Sequence, residues 1–181
     1  MRNYIVSAAV ICAALFGSFI VTACSESVED LLIEQGKAIR NFDFEKVRIT
    51  SEKLCKKDNS LGCYMYGGLL AKERNYDQAL TFLEKSCKLK HRGACAEVGI
   101  YYLHGVGGIA SDSTKAKEYF KEACQLNETW IDGDTRMNIA VACYVTGTQY
   151  ILGNGEPVDR ETASKYFSKA CSLGFRQACE M

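Results

Sequence analysis

Apolar residues recur along this chain at helical spacing, and the segments that carry them come in pairs. Ala79, Leu83 and Cys87 stand at i, i+4 and i+8; so do Ala116, Phe120 and Cys124, and again Ala163, Phe167 and Cys171. Such a stripe turns one face of a helix toward a core. An aromatic residue adjoins each stripe at Phe82, Tyr119 and Tyr166. A second kind of segment starts around a cysteine, at Cys63, Cys95 and Cys143. Glycine follows four places on (Gly67, Gly99, Gly147) and a large apolar residue seven places on (Leu70, Tyr102, Tyr150). Spacings of four and three keep all three positions on one helix face. Glycine costs a helix interior up to about 1 kcal/mol, so its return at one register predicts a helix approach too close for a Cβ. The cysteine-led segment is helix A and the striped one helix B. Turns rich in Gly and Asp, at 105–113 and 153–159, separate them.

The cysteines that end helix B fall at 55, 87, 124 and 171, in steps of 32, 37 and 47. An eleven-residue insertion near 129–139 accounts for the long step and leaves 36. A helical period of this size predicts stacked helix pairs, an all-α solenoid. Residues 28–55 read as a degenerate first pair, with Val47 and Ser51 at the stripe positions. The chain therefore divides into an N-terminal unit at 24–60 and repeats over 61–181, with 175–181 as the opening of a further helix A.

The first 23 residues break this pattern. Arg2 precedes an almost wholly apolar run from Tyr4 to Val21, which reads as a secretory signal peptide. At about 18 residues the run is near the lower limit for spanning a bilayer, so its length does not exclude an uncleaved membrane helix; its end argues for cleavage. Val21 and Ala23 suit an ordinary signal peptidase. The four residues ending at Cys24 also resemble the lipobox of bacterial lipoproteins, in which the cysteine is lipidated and becomes the new N-terminus. Ser25, rather than Asp, at the next position resembles Gram-negative sorting signals for the outer membrane. The expected location is the periplasm or the outer membrane.

Ten cysteines in 181 residues is a heavy load. Cys12 leaves with the leader. Cys55 and Cys63, Cys87 and Cys95, and Cys171 and Cys179 are pairs eight apart; Cys124 and Cys143 are the same pair stretched by the insertion. Cys24 is left over, and a thioether to lipid removes a thiol that an oxidising compartment would not tolerate. Antiparallel helices joined by a short turn pack about 8–10 Å apart; small residues such as Gly93 and Ala94 would narrow that toward the 5.5–6 Å a disulfide needs. A nine-residue bridged loop is worth roughly 2.5 kcal/mol on the chain-entropy argument. Pairings other than this local one stay open. Structural zinc asks for cysteines two to four apart; no such motif exists and His91 and His104 are the only histidines, so no metal or cofactor is expected. With 22 basic and 22 acidic residues, the chain lacks the basic surplus a nucleic-acid partner would draw on.

The elements starting at Cys63, Cys95 and Cys143, with the stretches 115–124 and 164–171, resemble the Sel1-like repeat family, and within it the cysteine-rich secreted branch of Helicobacter cysteine-rich proteins. The likeness covers 61–181 and, more weakly, reaches back to 28. It implies a right-handed α/α solenoid of helix pairs whose cysteines bridge consecutive repeats, and a concave face that holds a protein or peptide. The short array and the insertion before Cys143 depart from the family pattern. Positions two and six after the helix A cysteine vary between repeats and mark a candidate binding surface: Met65, Glu97 and Val145, then Leu69, Tyr101 and Gln149. Tyr64, Tyr144 and Trp130 are further candidates for contact. Members of the branch are commonly labelled β-lactamases or penicillin-binding proteins, so the resemblance carries a hydrolase alternative and, with it, cell-wall fragments as ligands. No serine here has lysine three places on, as a serine β-lactamase requires, and no residue is assigned to catalysis. Asn127 begins a weak glycosylation sequon, and Asp132 and Asp134 are too few for a calcium loop.

Overall fold

The computed structural model describes residues 26–125, 133–153 and 157–181. It is all-α, a disulfide-bridged solenoid of paired helices. Helices α1 (Val28–Arg40) and α2 (Phe44–Lys56) form the first pair. Then come α3 (Ser60–Lys72) with α4 (Tyr76–Lys88), α5 (Arg92–His104) with α6 (Ser113–Gln125), and α7 (Gly133–Leu152) with α8 (Arg160–Ser172). A short 3₁₀ turn, Arg176–Glu180, stands where a further helix A would begin. Each helix packs against its neighbours in sequence, and α5 also meets α7 directly. Helices α3, α5 and α7 therefore lie side by side and form one face, the inner one. Among the described residues no helix is long and apolar enough to cross a membrane. The candidate leader at 1–23, Cys24, Asn127, Trp130 and Asp132 lie outside the described residues, as does the side chain of Asp134.

Local chemistry sets where the helices stop. Four end in a residue of left-handed backbone that is not glycine: Phe42, Asp58, Arg74 and Lys90, with φ between 56° and 70°. After each, the chain closes a paired hydrogen bond back onto the helix, as where Asp58 N–H donates to the Cys55 carbonyl and Asn59 N–H to that of Leu54. Ser27, Asp43, Asn59, His91 and Asp159 then accept from the first turn of the next helix. Turns of three residues follow, too short to let successive helices splay apart.

The recurrent glycines do what their spacing predicts. A Cβ on Gly67 would stand 2.9 Å from Leu83, one on Gly99 2.6 Å from the Phe120 ring, and one on Gly147 2.8 Å from Phe167. Each partner is the middle residue of the helix B stripe in the same pair. In the first pair the register carries Gln35 and Ser51 instead, and the Gln35 amide donates to the Ser51 hydroxyl at 2.8 Å, both side chains buried. The small hydroxyl leaves the room that glycine makes elsewhere.

One expectation is corrected. Cys63 and Cys95 are the fourth residues of their helices, but Cys143 is the eleventh of α7. Seven residues of the insertion are thus helical and add two turns to the front of α7. Because they are added before the cysteine, Cys143, Gly147 and Tyr150 keep their register.

Candidate functional site

The cysteines lie at the joints between pairs. Cys55 bonds Cys63, Cys87 bonds Cys95, Cys124 bonds Cys143 and Cys171 bonds Cys179, with Cα separations of 4.4, 4.7, 5.0 and 4.9 Å. At the first joint the narrowing comes from Gly62, whose missing Cβ leaves space that Leu54 would otherwise contest. The first three bridges are buried, whereas Cys179 is exposed. No described cysteine is free.

Long cations cross the same joints. Lys85 on α4 donates to the Cys55 carbonyl at 2.8 Å and pairs with Asp58 at 2.8 Å. Lys169 on α8 donates to the Cys124 carbonyl. Each lysine thereby satisfies the C-terminal end of the preceding helix B. At the middle joint the polarity is reversed: Lys90 reaches forward to Glu122, which occupies the register of Lys85. Arg92, buried beside it, donates from Nε to the Ala123 carbonyl.

The inner face is built from α3, α5 and α7. Met65, Leu69, Glu97, Val145 and Gln149 are all half-buried there. Tyr101 departs from expectation, being only 6 % exposed. Its ring packs edge-on against Tyr76 of α4 with centroids 6.3 Å apart, so it is part of the packed wall of this face rather than an open contact, and burial pushes its phenol up to about 12. Tyr64 is held at two points: it stacks on His91 at 4.3 Å, and its hydroxyl meets Thr135 Oγ1 at 3.1 Å. Thr135 belongs to the added turns of α7, which cross α5 at Gly93, where a Cβ would strike Thr135. The insertion therefore ties the second helix pair to the fourth across the inner face. Gly68, by contrast, has open space where its Cβ would be.

Two grooves flank this face. One, about 340 Å³, is largely apolar and includes Leu103, Val145, Gln149 and Leu152. Sequence patterning marked Val145 and Gln149 but missed the two leucines, which lie outside the two registers that were compared. The other, about 510 Å³, is lined mainly by charged side chains and sits toward the helix B side. There Tyr102 and Tyr119 stack at 5.8 Å and both donate to Glu84, at 2.8 and 3.2 Å, with Lys115 over the Tyr102 ring. Burial first, then Glu84, pushes the Tyr102 phenol up to about 12. A similar stack of Tyr150 on Tyr166, with Lys121 over Tyr150, recurs one repeat later. Among the described residues no cluster of His, Cys, Asp and Glu could hold a metal ion.

Comparison with known proteins agrees with this geometry. The human cytochrome c oxidase assembly factor 7 is 30% identical over 124 residues, 65% of this chain and 50% of that protein; the mouse protein of the same name is 29% identical over the same shares. The chain spans about half the length of the curated relatives it matches. Among solved structures, a Sel1 repeat protein from Oxalobacter formigenes superposes with a TM-score of 0.62 at 21% identity, over 83% of this chain and 58% of that one. The model of the Sel1 repeat matches residues 59–91, 93–128 and 140–175, which fall on the last three helix pairs and are together more than half of the sequence. The chain belongs to the Sel1 repeat family.

Proposed function

We propose that the chain is an exported, lipid-anchored scaffold of the cysteine-rich branch of this family, and that it holds a protein or peptide segment on the inner face of α3, α5 and α7. The observation that carries this reading is the bridge at every joint. Disulfides at each repeat boundary belong to an oxidising compartment, and their pairing leaves Cys24 as the odd cysteine after the leader, at a lipobox-like position. The half-buried and varied residues of the inner face supply a contact surface on a rigid frame, the arrangement by which helical repeats bind extended partners. The curated relatives are assembly factors by name, which agrees with a scaffold. The hydrolase alternative and the cell-wall ligand rest on family resemblance alone.

Mass spectrometry of the full chain purified from the envelope of a bacterial host tests export and anchoring together. The expected mass is that of a chain beginning at Cys24, carrying an acyl-glyceryl adduct and lacking eight hydrogens at the other cysteines. An intact leader, or free thiols in the repeats, would sink the reading.

A further inference from the structure

One carboxylate on the inner face has no counter-charge. Glu97 stands on α5 one turn after Gly93, where α7 crosses, and one turn before Tyr101. Glu34, Glu73, Glu122 and Asp58 each pair with a cation, and Glu84 accepts from two tyrosines. Among the described residues no lysine, arginine or histidine pairs with Glu97, and burial alone holds its carboxyl above the usual range. The segments 126–132 and 154–156 contain no lysine or arginine. At the equivalent register α3 and α7 offer Met65 and Val145, which are apolar.

The surroundings suit a cation. Tyr101, one turn after Glu97, packs edge-on against Tyr76, and Tyr64 of α3 stacks on His91 at the start of α5. Gly68, one turn after Tyr64 on α3, opens a space that a side chain in its place would fill. A half-desolvated carboxylate is unfavourable while unpaired, and it gains both an ion pair and ring-face attraction when an ammonium or guanidinium enters. Farther along α5, between it and α7, lies the apolar groove of Leu103, Val145 and Leu152. We propose that Glu97 anchors a subsite on the inner face of α3 and α5 for a lysine or arginine side chain of an extended peptide, whose neighbouring apolar residue occupies the groove between α5 and α7. The inference rests on the scaffold reading above and gives it a partner chemistry.

The test pans a phage-displayed library of random nine-residue peptides on the full exported chain, on Glu97→Gln and on Gly68→Leu. Wild-type protein is expected to select peptides with a basic residue beside an apolar one. A synthetic peptide from that selection should bind either variant at least about tenfold more weakly. Both variants should melt at or above the wild-type temperature, since one removes a buried charge and the other replaces a helical glycine with a better helix former. Selected peptides without basic enrichment, or equal affinity for wild type and Glu97→Gln, would overturn the subsite and leave the scaffold standing. Failure to select any peptide on the wild-type chain would overturn both.

Discussion

Arg74 and Gly174 occupy the same kind of place, the left-handed residue that ends a helix, with φ of 63° and 103°. An L side chain there costs roughly 1–2 kcal/mol relative to glycine, partly offset by the freedom glycine regains on unfolding. Arg74→Gly is therefore expected to stabilise by about 0.5–1 kcal/mol, and Gly174→Ala to destabilise by about 1 kcal/mol. Nothing lies within 4 Å of a Cβ at Gly174, so the second effect is conformational alone. Urea midpoints measure both, and a loss on Arg74→Gly would contradict the assignment. Glu97 adds a pH dependence. Its folded carboxyl is raised above the ordinary 4.5 by burial, so the folded state holds the proton more tightly than the unfolded one. The stability it confers is fully present below pH 4.5 and lost as pH rises through the folded value. Glu97→Gln should accordingly raise the melting temperature at pH 7.5 and lose that advantage at pH 4; an equal shift at both would refute it. The sequence marks Glu97 as a varied position, but its lack of a cation depends on what α3 and α7 place beside it, which spacing along one helix does not reveal.

Pairing of helices turns on one contact used three times, glycine of helix A against the stripe residue of helix B. A methyl group on Gly99 would stand 2.6 Å from the Phe120 ring, a separation real atoms do not sustain. Gly99→Ala is expected to cost about 1–3 kcal/mol through overpacking, despite the roughly 1 kcal/mol that alanine returns in helix propensity. Phe120→Leu in the same chain should recover part of the loss, and a double-mutant cycle on thermal melts reads the coupling; additive effects would mean that the two residues do not touch. This contact was legible in the sequence because it lies within one helix pair and repeats at one spacing. The start of α7 was not. The insertion reads as a departure from the period, and its helical character comes from tertiary burial. Ile139 and Thr135 are packed away, and the latter meets α3 across the whole of α5. A helix that reaches over its neighbour leaves no periodic trace, since nothing else in the chain repeats it.

In the whole molecule, neighbouring pairs support one another in a line, so each bridge protects a different length of chain. The sequence treats all eight bonded cysteines alike, yet their surroundings differ. Cys55, Cys63, Cys87, Cys95, Cys124 and Cys143 are buried to within 4 % of complete, behind helices that must part before a reductant can enter. Cys171 and Cys179 join α8 only to the short terminal turn, and Cys179 is exposed. Attack by a thiolate or phosphine needs access to sulfur, so graded reduction should open the Cys171–Cys179 bond first. Alkylation and peptide mapping ought to show label on these two residues while the helical circular dichroism is nearly unchanged, because only residues 176–181 are released. The internal bonds should yield later and together with loss of helix. Among them, replacing Cys124 and Cys143 by alanine is expected to cost the most: it frees a loop of about twenty residues, worth roughly 3.3 kcal/mol against about 2.5 kcal/mol for the nine-residue loops. It also unties α7 from α6, and with it the last helix pair from the three before it. Label appearing first at Cys124 or Cys143 would mean that the added turns of α7 open readily, and that the inner face they cross is a moving part rather than a fixed wall.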